Sequence, residues 1–193
     1  MSAGLNNFKK LTTPLKFTDM IDKFVNIALS KVGTREEGGN NKGASIIEFQ
    51  KATWLKPDAW AWCAAFVCWC LREALTQSPE YLVEMNITDL EKWRCRDASA
   101  FGWIKWAKAH GLKVFEYADG IPTDLIKAGD IIVYAFSHIG IASKDQPAIG
   151  ARIDAIEGNT NASGARDSNT GDAVLAKNRP AKQIKAVIRF EYA

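Results

Sequence analysis

The stretch from Trp60 to Leu71 is the most apolar part of this 193-residue chain. It contains almost no polar residue, so a helix formed by it has to be buried on most of its sides. Lys56-Pro57-Asp58 precedes the stretch and is a plausible helix start, because proline fits the first turn of a helix. The sequence therefore predicts a central helix against which the rest of the domain packs.

Apolar residues at helical spacing predict further helices in the first half of the chain. In chain order these are a helix that Thr18 caps and Gly33 closes, a short helix over about 43–52, one or two helices over 79–96, and a helix that Asp97 caps and Gly111 closes. Residues 1–16 have no such period and are interpreted as an N-terminal arm. Residues 17–193 then form a single domain.

The second half of the chain changes to short apolar runs separated by Gly, Asp, Asn and Pro, which is typical of strands. The predicted strands are Val114–Tyr117, Asp130–Phe136, His138–Ser143, Arg152–Glu157 and Ile184–Tyr192. Helices followed by strands indicate an α+β fold, with N-terminal helices packed on a C-terminal antiparallel β-sheet.

Composition excludes several classes of function. The 25 basic and 22 acidic residues are interspersed and leave a net charge of +3, so no basic stripe points to nucleic acid. No transmembrane segment is expected, because no run reaches the length of a membrane helix. The N-terminus lacks the apolar region of a signal peptide, so we expect synthesis in the cytoplasm and export, if any, by another system. Four cysteines in such a chain are expected to be reduced thiols.

Cys63 is the cysteine best placed for chemistry. It lies in the first turn of the predicted central helix, where the partial positive charge favours a thiolate and backbone N–H groups can form an oxyanion hole. Cys68 and Cys70 lie further along the same helix among bulky apolar residues and are interpreted as small buried side chains. Their spacing from Cys63 does not match a zinc site, whose paired ligands are separated by turn residues.

The chain has only two histidines from which a base for such a thiol can come. His110 lies at the end of a predicted helix, where an imidazole commonly caps or interacts with the helix dipole. His138 begins an apolar strand and needs a polar partner there. Glu157 and Asn159 end the next strand, and a hairpin would bring either of them to His138, unless Glu157-Gly158-Asn159 is only a polar turn. The chain order of cysteine, histidine and then Glu or Asn is typical of papain-like hydrolases.

Four segments resemble the CHAP domain family, the cysteine- and histidine-dependent amidohydrolases/peptidases, in its short bacterial and bacteriophage members. They are GTREEGGNNKGASIIEFQKA, AWCAAFVCWC, AGDIIVYAFSHIGIAS and IDAIEGNTNASGARDSNTGDAV, and they span roughly residues 30–190 in the family's order. The resemblance implies a papain-like fold and hydrolysis of amide bonds in peptidoglycan. It implies that Cys63 is the nucleophile and His138 the base, and that Glu157 and Asn159 complete the site.

The resemblance also places the loop from Gly38 to Asn41 near the cleft. The substrate-binding residues expected on this basis are Asn40, Asn41, Trp62 and Ser137. Residues 76–99 form a longer insertion than a minimal domain of this kind requires. No Asp-rich loop of the calcium-binding members is present, so no metal and no cofactor are expected.

Three functions are compatible with these residues. The first is a lytic enzyme, either an N-acetylmuramoyl-L-alanine amidase or a stem-peptide endopeptidase, which acts on the cell wall as a phage lysin or as a delivered effector. Such an effector would have a delivery partner or a cognate immunity protein. The second is a papain-like peptidase, deamidase or transferase that acts on proteins. The third is a catalytically silent domain that binds cell-wall peptides, although a binding domain has no need of the Cys, His, Glu and Asn set.

Overall fold

Helices occupy the first part of the chain and strands the second. The computed structural model describes residues 14–116, 123–147, 152–162 and 171–193, with side chains from Thr18 onward. The helices are α1 (Pro14–Ser30), α2 (Ala44–Gln50), α3 (Cys63–Thr76), α4 (Pro79–Glu84), α5 (Leu90–Trp93) and α6 (Ala100–Ala109). The strands are β1 (Leu112–Glu116), β2 (Ile131–Tyr134), β3 (His138–Ala142), β4 (Arg152–Thr160), β5 (Ala173–Pro180) and β6 (Ile184–Tyr192).

Within the described residues the six strands form one sheet in the order β1-β6-β2-β3-β4-β5. Each neighbouring pair runs antiparallel. The predicted α+β fold is therefore confirmed, with the helices on one face of an antiparallel sheet. The neighbouring strands β3 and β4 pack against α3; β3 carries His138, and β4 runs through Glu157-Gly158-Asn159 to Thr160, beyond the predicted end at Glu157.

Helix α3 is the central helix that the apolar segment predicts. It packs against α1 and α2 and against the middle of the sheet, and most of its side chains are buried. Helix α3 approaches β4 closely at Gly158, where an added Cβ would lie 2.6 Å from the Cβ of Phe66 and 2.8 Å from the ring of Trp62. A glycine at this position therefore allows the start of α3 to lie directly on β4.

Several predicted boundaries differ from the structure. Helix α1 already begins at Pro14, so Thr18 lies inside it and does not cap it; residues 1–13 of the predicted arm lie outside the described part. Helix α3 begins at Cys63 and not at Lys56-Pro57-Asp58, because the buried side chain of Gln50 binds the backbone of the preceding segment instead. Ser99, not Asp97, caps α6 through a hydrogen bond from the backbone N–H of Gly102.

The sequence predicts one or two helices over residues 79–96. The structure has two short helices there, α4 and α5. The strand β5 is absent from the prediction and pairs with β4 at the edge of the sheet. Tyr117, the last residue of the first predicted strand, lies outside the described residues. Among the helices that the structure describes, none is both long and apolar enough to cross a membrane.

Candidate active site

Cys63 is the first residue of α3 and follows the N-cap residue Trp62. It is 6% exposed, whereas Cys68, Cys70 and Cys95 are at most 1% exposed, so Cys63 is the most accessible thiol. Burial raises the pKa of Cys68 and of Cys70 well above the ordinary value for a thiol. These two cysteines are therefore protonated core residues, as the sequence predicts, and Cys63 is the one cysteine that begins a helix.

Asn159 fixes the start of α3. Its side-chain Oδ1 accepts a hydrogen bond from the backbone N–H of Trp62 at 3.2 Å. Its Nδ2 donates to the carbonyl of Gly171 at 2.8 Å and to Oδ1 of Asn41 at 3.2 Å. Asn159 therefore ties the residue before Cys63 to two other segments, and we find its carboxamide at the helix start instead of at His138.

His138 is the first residue of β3 and is fully buried. It follows a three-residue turn in which Ser137 has a left-handed φ of 63°, a frequent arrangement in hairpins. Nε2 of the ring lies 2.9 Å from Oε2 of Glu157 on the neighbouring strand. Among the described residues Nδ1 has no hydrogen-bond partner, and Cys63 is close enough to the ring to contribute to the pKa of His138.

The charge on His138 is set by two opposing effects. Burial alone would lower the pKa of the imidazole, but interaction with Cys63 and Glu157 outweighs burial and raises the pKa of His138 to about 9. The ring therefore carries a proton on both nitrogens at neutral pH.

Glu157 is fully buried and accepts hydrogen bonds from two cationic side chains. Besides the bond with His138, Nε and Nη2 of Arg179 donate to the carboxylate at 2.7 Å each. Burial would raise the pKa of Glu157, but His138 and Arg179 together lower it to about 2. Glu157 is therefore ionised at neutral pH. Gly140 makes room for it, because an added Cβ there would lie 2.8 Å from Cγ of Glu157.

A β-bulge separates the two polar residues that end β4. The register with β5 shifts between Glu157 and Thr160, and Asn159 has a left-handed φ of 54°. Residues two apart in a regular strand share one face. Because of the bulge, the side chain of Glu157 binds His138 while that of Asn159 binds the backbone of Trp62.

The expected substrate-binding residues lie in different surroundings. Asn40 and Ser137 are exposed, and Ser137 directly precedes His138. Asn41 is 9% exposed and bound to Asn159. Trp62 is fully buried and donates its indole N–H to Glu36 at 2.8 Å, so it supports the helix start from within the core.

Arg179 is a residue of this site that sequence reasoning missed. It lies on β5, the strand absent from the prediction, and is 2% exposed. Its guanidinium also lies over the rings of Tyr134 and Phe136, 5.5 Å and 5.3 Å from their centroids. The apolar run Ala173–Ala176 after a turn-rich segment is the signal that could have revealed the strand.

In fold, this chain is similar to an endolysin. The crystal structure of the wild-type endolysin LysIME-EF1 matches with a TM-score of 0.51 and 14% sequence identity. The match covers 89% of this chain and 64% of that chain, so the present chain spans less than two thirds of the endolysin's length. A scan against protein-family models and a search of curated proteins found no match.

No metal centre stands out around these residues. Among the residues that the structure describes, no group of three or more His, Cys, Asp or Glu side chains could hold a metal ion. The chemistry that the arrangement itself offers is that of a buried thiol, an imidazole and a carboxylate.

Replacing Glu157 by glutamine is expected to lower the pKa of His138 from about 9, because the imidazolium loses its anionic partner and keeps the nearby Arg179 cation. The measurement is an NMR titration of the ring protons. The chain has only two histidines, so His110 is an internal control whose titration should not move. A His138 midpoint that stays near 9 would show that Cys63 alone holds the proton on the ring.

Proposed function

We propose that this protein is a thiol hydrolase that cuts amide bonds in bacterial peptidoglycan, with Cys63 as nucleophile and His138 as general base and acid. The observation that carries the proposal is the placement of Cys63 at the start of α3, beside an imidazole that is hydrogen-bonded to the ionised Glu157. A nucleophile, a base and a group that orients the base are the parts that such catalysis requires.

The proposed reaction begins with attack of the Cys63 thiolate on the carbonyl carbon of an amide. Backbone N–H groups in the first turn of α3 have no intrahelical partner and can stabilise the oxyanion that forms. The His138 imidazolium gives a proton to the leaving amine, which produces a thioester and a neutral imidazole. His138 then takes a proton from water as the water attacks the thioester, and collapse of the intermediate releases the acid and regenerates the Cys63 thiolate and the His138 imidazolium.

Glu157 and Asn159 have different roles in this proposal. Glu157 holds the ring of His138 in place and stabilises its positive charge. Asn159 holds the backbone of Trp62 and with it the helix start that presents Cys63. Asn40, Asn41 and Ser137 are proposed to contact the substrate, and Trp62 to act only by supporting the helix start.

Peptidoglycan is proposed as the substrate on two grounds. The Trp-Cys-Ala-Ala-Phe-Val and Glu-Gly-Asn-Thr-Asn segments resemble the CHAP family, and the fold is similar to that of an endolysin. The bond cut is proposed to lie either between the lactyl group of muramic acid and L-alanine or within the stem peptide. The protein would act on the wall after release or delivery from the cell that makes it, with a delivery or immunity protein as a further partner.

The test is digestion of purified peptidoglycan followed by mass spectrometry of the released fragments. New L-alanine amino termini on intact stem peptides would identify an amidase, and new termini within the stem or cross-bridge an endopeptidase. If peptidoglycan stays intact and a protein is cleaved or deamidated instead, the substrate of this site is a protein. Binding of wall material without any cleavage would identify a silent binding domain.

Excess EDTA is expected to leave the rate of this digestion unchanged, since the proposed mechanism uses only side chains and backbone of the protein. The rate with and without chelator, before and after dialysis, checks this. Loss of activity that calcium restores would contradict it and would direct attention to the loop that contains Glu36, Asn40 and Asn41.

A further inference from the structure

We infer that Arg179 is a positioning residue of the same site, which keeps Glu157 ionised in both protonation states of His138. This inference rests on the proposed role of His138 in proton transfer. It concerns a residue that acts on His138 through its contacts with Glu157.

The contacts of Arg179 are directed at one carboxylate. Nε lies 2.7 Å from Oε1 and 2.9 Å from Oε2 of Glu157, and Nη2 lies 2.7 Å from Oε2. Nη2 also donates to Oγ1 of Thr160 at 3.2 Å. A planar guanidinium with two nitrogens on one carboxylate forms a strong and geometrically fixed pair.

Burial gives this pair its significance. Arg179 is 2% exposed and Glu157 is fully buried, so neither charge is stabilised by water. A buried carboxylate without a cationic partner takes up a proton, and a protonated carboxyl group no longer stabilises an imidazolium. A buried ion pair is also weak evidence for a purely stabilising role, because apolar residues of similar volume often stabilise a core as well or better.

His138 alone cannot keep Glu157 ionised throughout a reaction. The imidazole must lose its proton to the leaving amine, and at that moment Glu157 would be a buried anion with no cation beside it. The guanidinium of Arg179 does not lose its proton in proteins. Arg179 therefore supplies a constant positive charge and makes the neutral form of His138 accessible.

In the described part of the chain, the ionisable groups around Glu157 come from four elements. They are His138 on β3, Arg179 on β5, Tyr134 on β2 and, beyond the imidazole, Cys63 on α3. Burial and the charge of Glu157 raise the pKa of Tyr134, so this phenol stays neutral. When His138 is protonated, the Glu157 carboxylate lies between two cations, the imidazolium and the Arg179 guanidinium.

This arrangement predicts opposite shifts for two substitutions. Loss of Glu157 removes an anion and therefore lowers the pKa of His138. Arg179→Met instead removes a cation, so that deprotonation of His138 would leave the Glu157 carboxylate without a positive partner and becomes less favourable. The NMR midpoint of His138 in Arg179→Met is therefore expected to rise by about one unit or more. Turnover is expected to fall roughly 10- to 100-fold, by analogy with the loss of groups that orient metal-binding histidines.

The conservative and control variants separate this role from a structural one. Arg179→Lys keeps a positive charge and should leave the His138 midpoint near the wild-type value while recovering part of the turnover. Arg189→Met removes a similar pair, in which Arg189 donates to the buried Asp130 at 2.7 and 2.9 Å, and should not move the midpoint. A folded Arg179→Met protein with an unchanged midpoint would overturn the inference.

A second measurement covers the case in which Arg179→Met does not fold. His138→Gln removes the imidazolium but keeps Arg179, so the carboxyl ¹³C resonance of Glu157 should still report an ionised group at neutral pH. A protonated Glu157 in that variant would overturn the inference equally. Neither NMR measurement needs a substrate. Their outcome is therefore independent of whether the wild-type protein digests peptidoglycan.

Discussion

Replacement of Cys63 by serine or alanine is expected to abolish hydrolysis of peptidoglycan. The change removes the only thiol that lies at a helix start beside an imidazole among the described residues. Loss of a catalytic nucleophile commonly costs on the order of 10⁴-fold or more in kcat. Turbidity of a wall suspension and release of new amino termini measure the loss, and the thermal unfolding profile should remain close to that of the wild type.

Cys68→Ala is the matched control, because it removes a thiol from the same helix without touching the site. It should lower the free energy of unfolding by about 1 kcal/mol and preserve activity. Iodoacetamide should label Cys63 first, since the other three thiols are at most 1% exposed. Digestion by the Cys63→Ala protein at the wild-type rate would refute the proposed nucleophile.

Replacement of His138 is expected to have the second-largest effect, a loss of at least about 10³-fold in kcat, because general acid and general base steps both depend on the ring. His138→Gln is the informative variant, since its amide can still donate a hydrogen bond to Glu157 while it cannot accept and return a proton. The measurement is the initial rate of fragment release, with unfolding followed in parallel.

His110→Ala serves as the control for this experiment. His110 is the C-cap residue of α6, where Nδ1 lies 2.8 Å from the carbonyl of Trp106 and the ring packs on the indoles of Trp93 and Trp106. Its removal should reduce stability modestly and leave the rate within a few-fold. An enzyme that tolerates loss of His138 but not of His110 would disprove the choice of base.

The sequence predicts the central helix, the strand of His138 and the approach of Glu157, and the structure has all three. These features are local or follow from simple pairing. The apolar stretch around Cys63 can only be a buried element, and antiparallel neighbours bring the end of β4 to the start of β3. The fold class follows from the same patterns.

Other features depend on contacts that no local pattern contains. The start of α3 is shifted to Cys63 because Gln50, a residue of another helix, binds the backbone at Asp58 and Trp60. Strand β5 ends in Lys-Asn-Arg-Pro, which is typical of a solvated edge, so its pattern does not indicate a buried guanidinium. The burial of Arg179 depends on its ion pair with Glu157, a residue of another strand.

The different contacts of Glu157 and Asn159 cannot be predicted from the sequence either. A strand period predicts that both face His138, and only the bulge separates them. The residue pattern therefore identifies which side chains belong to the site but not which of them meets the histidine.

The hydrogen bond from Trp62 to Asn159 joins residues 97 positions apart, and the same carboxamide reaches Gly171. A ribosome therefore completes the thiol-bearing helix long before it makes the residues that fix that helix in place. Because chains are made from the N-terminus, an unfinished copy carries Cys63 without its imidazole, its carboxylate or its anchored helix start. In the proposed mechanism, the site is therefore complete only after the residues up to Gly171 have been made.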